Sequence, residues 1–558
     1  MRELSAKNRE ELLAYREQLL TAQRAEEASA EAKRFRTGSL PLAIDPALRT
    51  APMGHQVRAM NFCATLYRAG ERGVALLMEQ GTGKSLVAIG LVTAMAKKGA
   101  ARWALVICPN SLKGTWAAPD GEILKHSALP AEITVLRGSK ADRLRDFRRA
   151  LARANAGPFQ WVVTNIDQFS SDTFRTRGAW TPTKAFQDFL DIVEGSGKRG
   201  VLIFDESSKA KNPTSRRTQA LHRIAALCAR RMILTGTPVT KSPLDVWAQF
   251  EVLKRGALGI YSYLGFERHY GVQQRVRFGN RTVIQTVAYR NLEELEERVA
   301  RLSFRALARD CLDLPRLVRR TIPVELSSEQ EETCKQLRTE MLAGLEGGAL
   351  VDGRNILTRF LRMAQVLGGF VGTMDESGQP TGEQHAYSPN PKLDALVEYL
   401  DLAFEDPTSK AVIFAQFRAE ITAITAAAQK HGWSPVVFHG GISEEERDAG
   451  RRRFQEDPAC RVFVAQYQTG SYGLNLVAAN HSIFYGLTFD LELFAQARKR
   501  VHRQGQERMV NEVILRATTA DGRRTMDHVI LEALDGKQSF ADVVTGDRKA
   551  LTAALETM

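Results

Sequence analysis

Short apolar runs alternate with longer amphipathic stretches, and this alternation occurs twice along the chain. The first series holds VALLM (74–78), ALVIC (104–108), WVVT (161–164), VLIF (201–204) and MIL (232–234), with helix-compatible stretches between them. Runs this short and continuously apolar are the pattern of strands buried on both faces. Strands separated by helices predict a parallel α/β sheet. From about 243 to 400 the chain reads mainly as helices, such as NLEELEERVARL (291–302) and SSEQEETCKQLRTEMLAGL (327–345). Gly347-Gly348, Gly368-Gly369 and 373–391 read as loops. A second α/β series follows: AVIFA (411–415), PVVF (435–438), RVFVA (461–465) and SIFY (482–485). Residues 1–36 read as one exposed helix of interleaved Glu and Arg, ended near Pro41 and Pro46. The pattern predicts a helical arm (1–45), an α/β lobe (46–242), helical insertions and a linker (243–395), and a second α/β lobe with closing helices (396–558).

Composition narrows the class. A chain of 558 residues is too long for one core, at about 150 residues per domain. Lys and Arg number 77 against 64 Asp and Glu, a net charge of +13 that suits a polyanionic partner. The signs are mixed along most of the chain, so charge alone does not specify nucleic acid. Cys63, Cys108, Cys228, Cys311, Cys334 and Cys460 form no Cys-x-x-Cys pair, which argues against a zinc ribbon and suggests no disulfide framework. No apolar run approaches the roughly 18 residues of a membrane helix. The charged N-terminus lacks the apolar segment of a secretory signal, so an intracellular setting is expected.

The strongest local signal is a strand running into Gly81-Thr82-Gly83-Lys84-Ser85 and then into a helix. Glycines let backbone N–H groups close around phosphates, and the helix turns its positive end toward the anion. Lys84 is placed to reach the β and γ phosphates, and Ser85 to ligate Mg²⁺. Met78 stands where the strict loop has its first glycine, so the match is to the shorter form. A second signal is VLIFDESSKAKN, which puts Asp205 and Glu206 at the end of an apolar strand. Alone, an Asp-Glu pair is usually a solvated turn. After a buried strand, in a chain with a phosphate loop, it reads as a metal ligand followed by a base for the attacking water.

With these motifs the chain resembles the Swi/Snf-like family of superfamily-two helicase-type ATPases, from about residue 50 to 540, with the motifs in the family's order. PMGHQVRAMNF carries Gln56, where the family has an adenine-reading glutamine; VICPNSLKGTW (106–116) and VVTNIDQF (162–169) resemble strand-contacting segments. DESSKAKN resembles Asp-Glu-Ala-His-x-x-Lys-Asn, with Ser208 in place of the histidine that links the nucleotide site to the next motif. LTGTPVTKSPLDVW (234–247) resembles the Thr-Gly-Thr-Pro relay, QTGSYGLNLVAAN (468–480) a DNA-lining motif, and FAQARKRVHRQGQ (494–506) the family's arginine motif. SPLDVWAQFEVL and LARDCLDLPRLVRRTIPVELSSEQ resemble the helical insertions that set Swi/Snf-like motors apart.

The resemblance implies an α/β fold of two RecA-like parallel-sheet lobes with helical insertions between them, of the compact kind seen in bacteria and phages. It implies ATP and Mg²⁺, bound in a cleft between the lobes. Gln56, Gly81, Thr82, Gly83, Lys84, Ser85 and Gln496 are the implied nucleotide contacts, and Ser85 and Asp205 the metal ligands. Lys84, Asp205, Glu206, Arg500 and Arg503 are implied in catalysis. Pro109, Ser111, Thr164, Thr235, Gly236, Thr237, Gly473, Leu474 and Asn475 are implied in coupling and the nucleic-acid path. The implied activity is an ATP-driven DNA translocase or remodelling motor, indifferent to sequence, with duplex DNA favoured over single strands or RNA. A strand-separating helicase and a nucleotide-gated binding protein remain the alternatives. The further expectations are a monomer, no membrane, a replication, recombination or repair protein as partner, and a cytoplasmic site in a bacterial cell or phage-infected host.

Overall fold

The computed structural model describes residues 41–535 apart from 155–156, 172, 177–178, 198, 240–241, 279–280, 347–352, 375–379 and 471–473. The arm expected at 1–45 therefore lies outside the described residues up to 40, as do the closing residues 536–558, Gly473 and the Gly347-Gly348 loop. The chain divides into two units, Met1–Leu312 and Asp313–Met558.

The first unit carries β1 (Gly73–Met78), β2 (Trp103–Cys108), β3 (Ala131–Val135), β4 (Phe159–Asn165), β5 (Thr173–Thr176), β6 (Ala179–Pro182), β7 (Gly200–Asp205), β8 (Arg230–Leu234), β9 (Gly271–Phe278), β10 (Arg281–Tyr289) and β11 (Ser303–Ala306). Seven of them form one sheet in the order β11-β1-β8-β7-β2-β4-β3. Every pairing in it is parallel. β1, β2, β4 and β7 are buried along their whole length, which explains their unbroken apolar character. Helices cover the faces. Phe147 and Phe189, from two of them, stack at 4.2 Å over the core that holds Leu105, Val162, Leu202 and Ile233. Ser215 caps the helix Arg216–Leu227 by accepting from the Thr218 N–H at 3.3 Å. Gly200 starts β7 against the Trp103 ring, where a Cβ would stand 2.1 Å from Cζ2 and only glycine fits.

The second unit carries β12 (Leu317–Glu325), β13 (Phe370–Met374), β14 (Pro380–Ala386), β15 (Ala411–Ala415), β16 (Val436–Phe438), β17 (Val462–Gln466), β18 (His481–Phe484) and β19 (Val510–Thr518). Six of these form a second sheet, β12-β19-β18-β15-β17-β16, again parallel throughout. Ile413, Val464, Ile483 and Val513 pack under Leu396, Leu400, Ile421 and Ile424 of the covering helices. The chain is thus an α/β protein with two parallel sheets.

The middle stretch departs from the mainly helical reading. Helices do form at Leu292–Ala300 and Ser328–Glu346. However, β9 and β10 pair as an antiparallel hairpin, and so do β13 and β14, the latter within the stretch read as a loop. β11 returns to the first sheet beside β1, and β12 opens the second beside β19.

Candidate active site

Because every strand of the first sheet points the same way, the loops after β1, β2, β4, β7 and β8 gather at one edge. That carboxyl edge is where open parallel sheets present ligand-binding groups.

The loop after β1 contains two residues that need glycine. Gly81 has φ +86° and Gly83 φ +81°, and Gly83 is the N-cap of the helix Lys84–Lys97. A Cβ at Gly83 would come 2.2 Å from Gln56 Nε2. Between them Thr82 is fully buried and donates its hydroxyl to the Glu79 carbonyl at 2.7 Å. Lys84 Nζ donates to the carbonyls of Met78 (2.9 Å) and Glu79 (3.3 Å). Ser85 follows in the first helical turn and is half-buried.

Gln56 is buried, and both ends of its amide are engaged. Its oxygen accepts from the Met53 N–H at 2.8 Å, and Nε2 donates to the Thr82 carbonyl at 3.1 Å. In this arrangement Gln56 braces the phosphate loop. The sequence reading missed His55, whose Nε2 lies 2.8 Å from the same carbonyl. A carbonyl only accepts, so Nε2 carries the proton; burial lowers the pKa of this imidazole and favours its neutral form.

Asp205 ends β7, two strands away from β1, and Glu206 follows it. Asp205 Oδ2 accepts from the Trp116 indole N–H at 2.9 Å, and Oδ1 from the Glu206 N–H at 3.0 Å. Burial pushes the Asp205 carboxyl above the usual range, while the Lys84 ammonium, the Trp116 N–H and the Glu206 N–H pull the other way. Glu206 sits at φ 53°, ψ 58°, the left-handed region that a side chain enters at a cost. Between β7 and β1 lies β8, whose end supplies Thr235, Gly236 and Thr237. Thr235 is fully buried, its N–H donating to the Leu76 carbonyl at 3.1 Å and its Oγ1 accepting from the Thr237 N–H at 3.1 Å. A Cβ on Gly236 would touch Met78, Glu79 and Gln80 at 3.4 Å. The Thr-Gly-Thr motif therefore lies directly against the phosphate loop.

This donor set fits a nucleoside triphosphate with a hard divalent ion. The glycine cradle and helix N-terminus suit phosphates, and the Ser85 hydroxyl and Asp205 carboxylate are the oxygen ligands Mg²⁺ prefers. Among the described residues no cluster of three His, Cys, Asp or Glu forms a self-contained metal site. Mg²⁺ in such sites completes its shell with phosphate and water.

Trp116, from the segment that resembles a strand contact, and Thr164, implied in the nucleic-acid path, are both buried. Trp116 is buried at 1% exposure and is spent on Asp205. Thr164 is fully buried in β4, donating its hydroxyl to Gln168 Oε1 at 2.6 Å. Each side chain is engaged within the protein, Trp116 with Asp205 and Thr164 with Gln168. Pro109 is buried as well and caps the short turn Asn110–Leu112, where Ser111 is half-buried.

In the second unit the arginine motif closes on one carbonyl. Arg500 Nη1 and Arg503 Nη1 donate to the Leu474 oxygen at 3.4 and 2.9 Å. Leu474 itself is buried, and its carbonyl is the group the two arginines meet. Asn475 is exposed, its carbonyl held by Gln455 Nε2. Gln496 is buried and donates to Glu492 Oε1 at 3.2 Å, with its own Oε1 unpartnered. Sequence reasoning missed Glu512, which accepts from Arg498 Nε at 2.9 and 3.0 Å and pairs with Arg319 at 3.1 Å. It also missed His502, whose Nε2 lies 2.8 Å from the Pro315 carbonyl.

A phosphate loop, an Asp-Glu strand end and a second parallel sheet bearing an arginine motif define the class as a helicase-type ATPase with RecA-like lobes. Residues 55–367 match the SNF2-related domain and residues 391–505 the helicase conserved C-terminal domain, and the chain belongs to the SNF2-related family. It is similar to the DNA annealing helicase and endonuclease ZRANB3 of Homo sapiens, 24% identical over 479 residues that make up 84% of this chain and 38% of that protein. It is also similar to the putative ATP-dependent helicase/translocase YwqA of Bacillus subtilis (strain 168), at 23% identity over 91% of this chain and 50% of that one. The chain thus spans half or less of the length of these relatives. Among solved structures, a Sulfolobus solfataricus SWI2/SNF2 ATPase core in complex with dsDNA aligns over 93% of this chain and 98% of its own, at 20% identity and a TM-score of 0.39.

Proposed function

We propose that this chain is a nucleic-acid-dependent ATPase that hydrolyses ATP with Mg²⁺ to translocate on DNA, with duplex favoured and sequence ignored. Lys84 and the loop amides hold the phosphates, Ser85 and Asp205 hold Mg²⁺, and Glu206 takes the proton of the attacking water. Bound Mg²⁺ would offset the charge of the β and γ phosphates. Arg500 and Arg503 neutralise charge on the transferring phosphoryl group, a contribution on the order of 10³ in rate elsewhere. Gly81, Thr82 and Gly83 shape the cradle, with Gln56 and Gln496 as the glutamines that respond to the nucleotide. Pro109, Ser111, Thr235, Gly236, Thr237 and Asn475 belong to the relay and the nucleic-acid path. The division into arm, first lobe, insertions and second lobe remains our proposal for the domain plan. So does a monomer that works with replication, recombination or repair proteins in the cytoplasm. No helix among the described residues is long and apolar enough to cross a membrane.

The observation that supports this reading is the convergence of Lys84, Asp205, Glu206 and Thr235–Thr237 at the carboxyl edge of one parallel sheet. The test is ATP hydrolysis alone and with duplex DNA, single-stranded DNA and RNA, with Lys84→Ala and Glu206→Gln as controls. Strong stimulation by duplex, absent in both variants, is expected; triplex displacement then checks for directional travel. Stimulation by single strands or RNA alone would favour strand separation. Nucleotide binding without hydrolysis would favour a gated binding protein.

A further inference from the structure

The family's histidine at position 208 is a serine here, yet the loops it would join are connected by other side chains. Ser207, next to Glu206, is fully buried and donates its hydroxyl to Gln249 Oε1 at 2.7 Å. Gln249, also fully buried, donates through Nε2 to the Pro238 carbonyl at 2.6 Å and the Asp245 carbonyl at 2.9 Å. Pro238 directly follows Thr237. One amide thus spans from the Asp-Glu turn to the Thr-Gly-Thr-Pro loop. Its orientation is fixed by chemistry: both carbonyls can only accept, so Nε2 faces them and Oε1 faces Ser207. Both amide hydrogens and the oxygen are in use, which leaves the group no second arrangement of equal worth.

The helix that carries Gln249 (Val246–Glu251) is itself pinned. His222 Nε2 lies 2.8 Å from the Ala248 carbonyl, and the Trp247 indole donates to the Ile260 carbonyl at 2.9 Å. A movement of the turn at Glu206 therefore meets a stiff strut whose other end bears on Pro238.

We infer that the Ser207–Gln249–Pro238 bridge transmits the state of the nucleotide turn to the Thr-Gly-Thr-Pro loop, taking over the connection the histidine makes elsewhere in the family. Gln249 is a positioning residue, acting through Ser207. Its effect on nucleic-acid stimulation rests on the proposed function above; its effect on the loop does not.

Two measurements test it on the full chain. Ser207→Ala removes the donor and Gln249→Met replaces the amide at similar volume; both variants and the double are compared with wild type. First, hydrogen exchange in peptides covering 234–247 is followed with and without ADP. Wild type is expected to show protection on ADP binding, and either variant to lose it while still binding ADP. Second, the stimulation of ATP hydrolysis by duplex DNA is expected to fall about tenfold, with basal hydrolysis and the far-ultraviolet spectrum unchanged. The double variant should be no worse than Gln249→Met alone, as expected for one shared path. Retained protection in the variants, or basal and stimulated rates falling together, would overturn the inference. A wild type that no nucleic acid stimulates would instead refute the functional reading, and the exchange experiment would still decide the bridge.

Discussion

The indole N–H of Trp116 donates to Asp205 Oδ2 at 2.9 Å, in a buried contact between residues 89 apart in sequence. The segment after β2 thereby sets the orientation of the carboxylate proposed to hold Mg²⁺. Partners that orient a metal ligand matter for the metal, with losses of about 10–100-fold when they are removed. Trp116→Phe keeps most of the buried ring and deletes the donor. The Mg²⁺ concentration for half-maximal hydrolysis should rise about tenfold, with duplex affinity unchanged. A fall in duplex affinity at unchanged Mg²⁺ dependence would return Trp116 to the nucleic-acid path.

Glu206 holds a left-handed backbone conformation at φ 53°, and for a residue with a side chain that strain amounts to about 1 kcal/mol or more. Glycine enters this region freely. Glu206→Gly should therefore stabilise the first unit by about 1 kcal/mol while abolishing hydrolysis. Glu206→Gln should abolish hydrolysis with no gain in stability, because it keeps the Cβ. Urea unfolding of the three proteins separates strain from charge.

Legibility in the sequence followed burial. β1, β2, β4, β7 and β8 lie inside the first sheet, and their two-sided burial wrote continuous apolar runs that could be read directly. Three strands that no apolar run marked, β3, β11 and β12, are sheet edges. β3 is only half-buried along its length, and β12, LVRRTIPVE, is mostly exposed and broken by Arg319 and Arg320. An edge strand needs one apolar face at most, so it resembles a loop or a helix end. The hairpin β9–β10 was hidden for the same reason, since Gln273, Gln274 and Arg275 face solvent. At the site, the glycine loop and the Asp-Glu strand end were visible because their chemistry is local. Trp116 on Asp205, His55 on Thr82 and Gln249 on Ser207 join residues 89, 27 and 42 positions apart, and no local pattern marks such pairs.

Arg500 and Arg503 share the Leu474 carbonyl, so each guanidinium is tied to the backbone while being proposed to face an anion. Arginine is suited to that double duty because its donors form a rigid planar fork, which a lysine ammonium lacks. Arg503→Ala and Arg503→Lys should both lower kcat by about 10²–10³, with ATP affinity within about threefold of wild type. Single-turnover hydrolysis beside equilibrium nucleotide binding checks this. Full activity in Arg503→Lys would mean that charge alone suffices.

Glu420 is expected to make the stability of the second unit depend on pH. Its Oε2 accepts from the Gln416 and Phe417 N–H groups at 2.7 and 3.0 Å, while Oε1 is buried without a hydrogen-bond partner. Burial pushes its carboxyl from 4.5 up to about 7, against the Phe417 N–H, the Lys392 ammonium and the Gln416 N–H, with Asp527 adding to the rise. Between these two values the folded chain keeps a proton that the unfolded chain has released. Stability is therefore greatest below the unfolded value, falls as pH rises through the folded value, and is flat above it. A rise of this size corresponds to a loss of about 3 kcal/mol. Glu420→Gln keeps the shape and the acceptor for both N–H groups but cannot titrate. Hydrogen exchange in peptides covering β15, corrected for intrinsic rates, should lose protection between pH ~5 and ~7.5 in wild type and hold it in the variant. An equal pH dependence in both proteins would place the titration at another group.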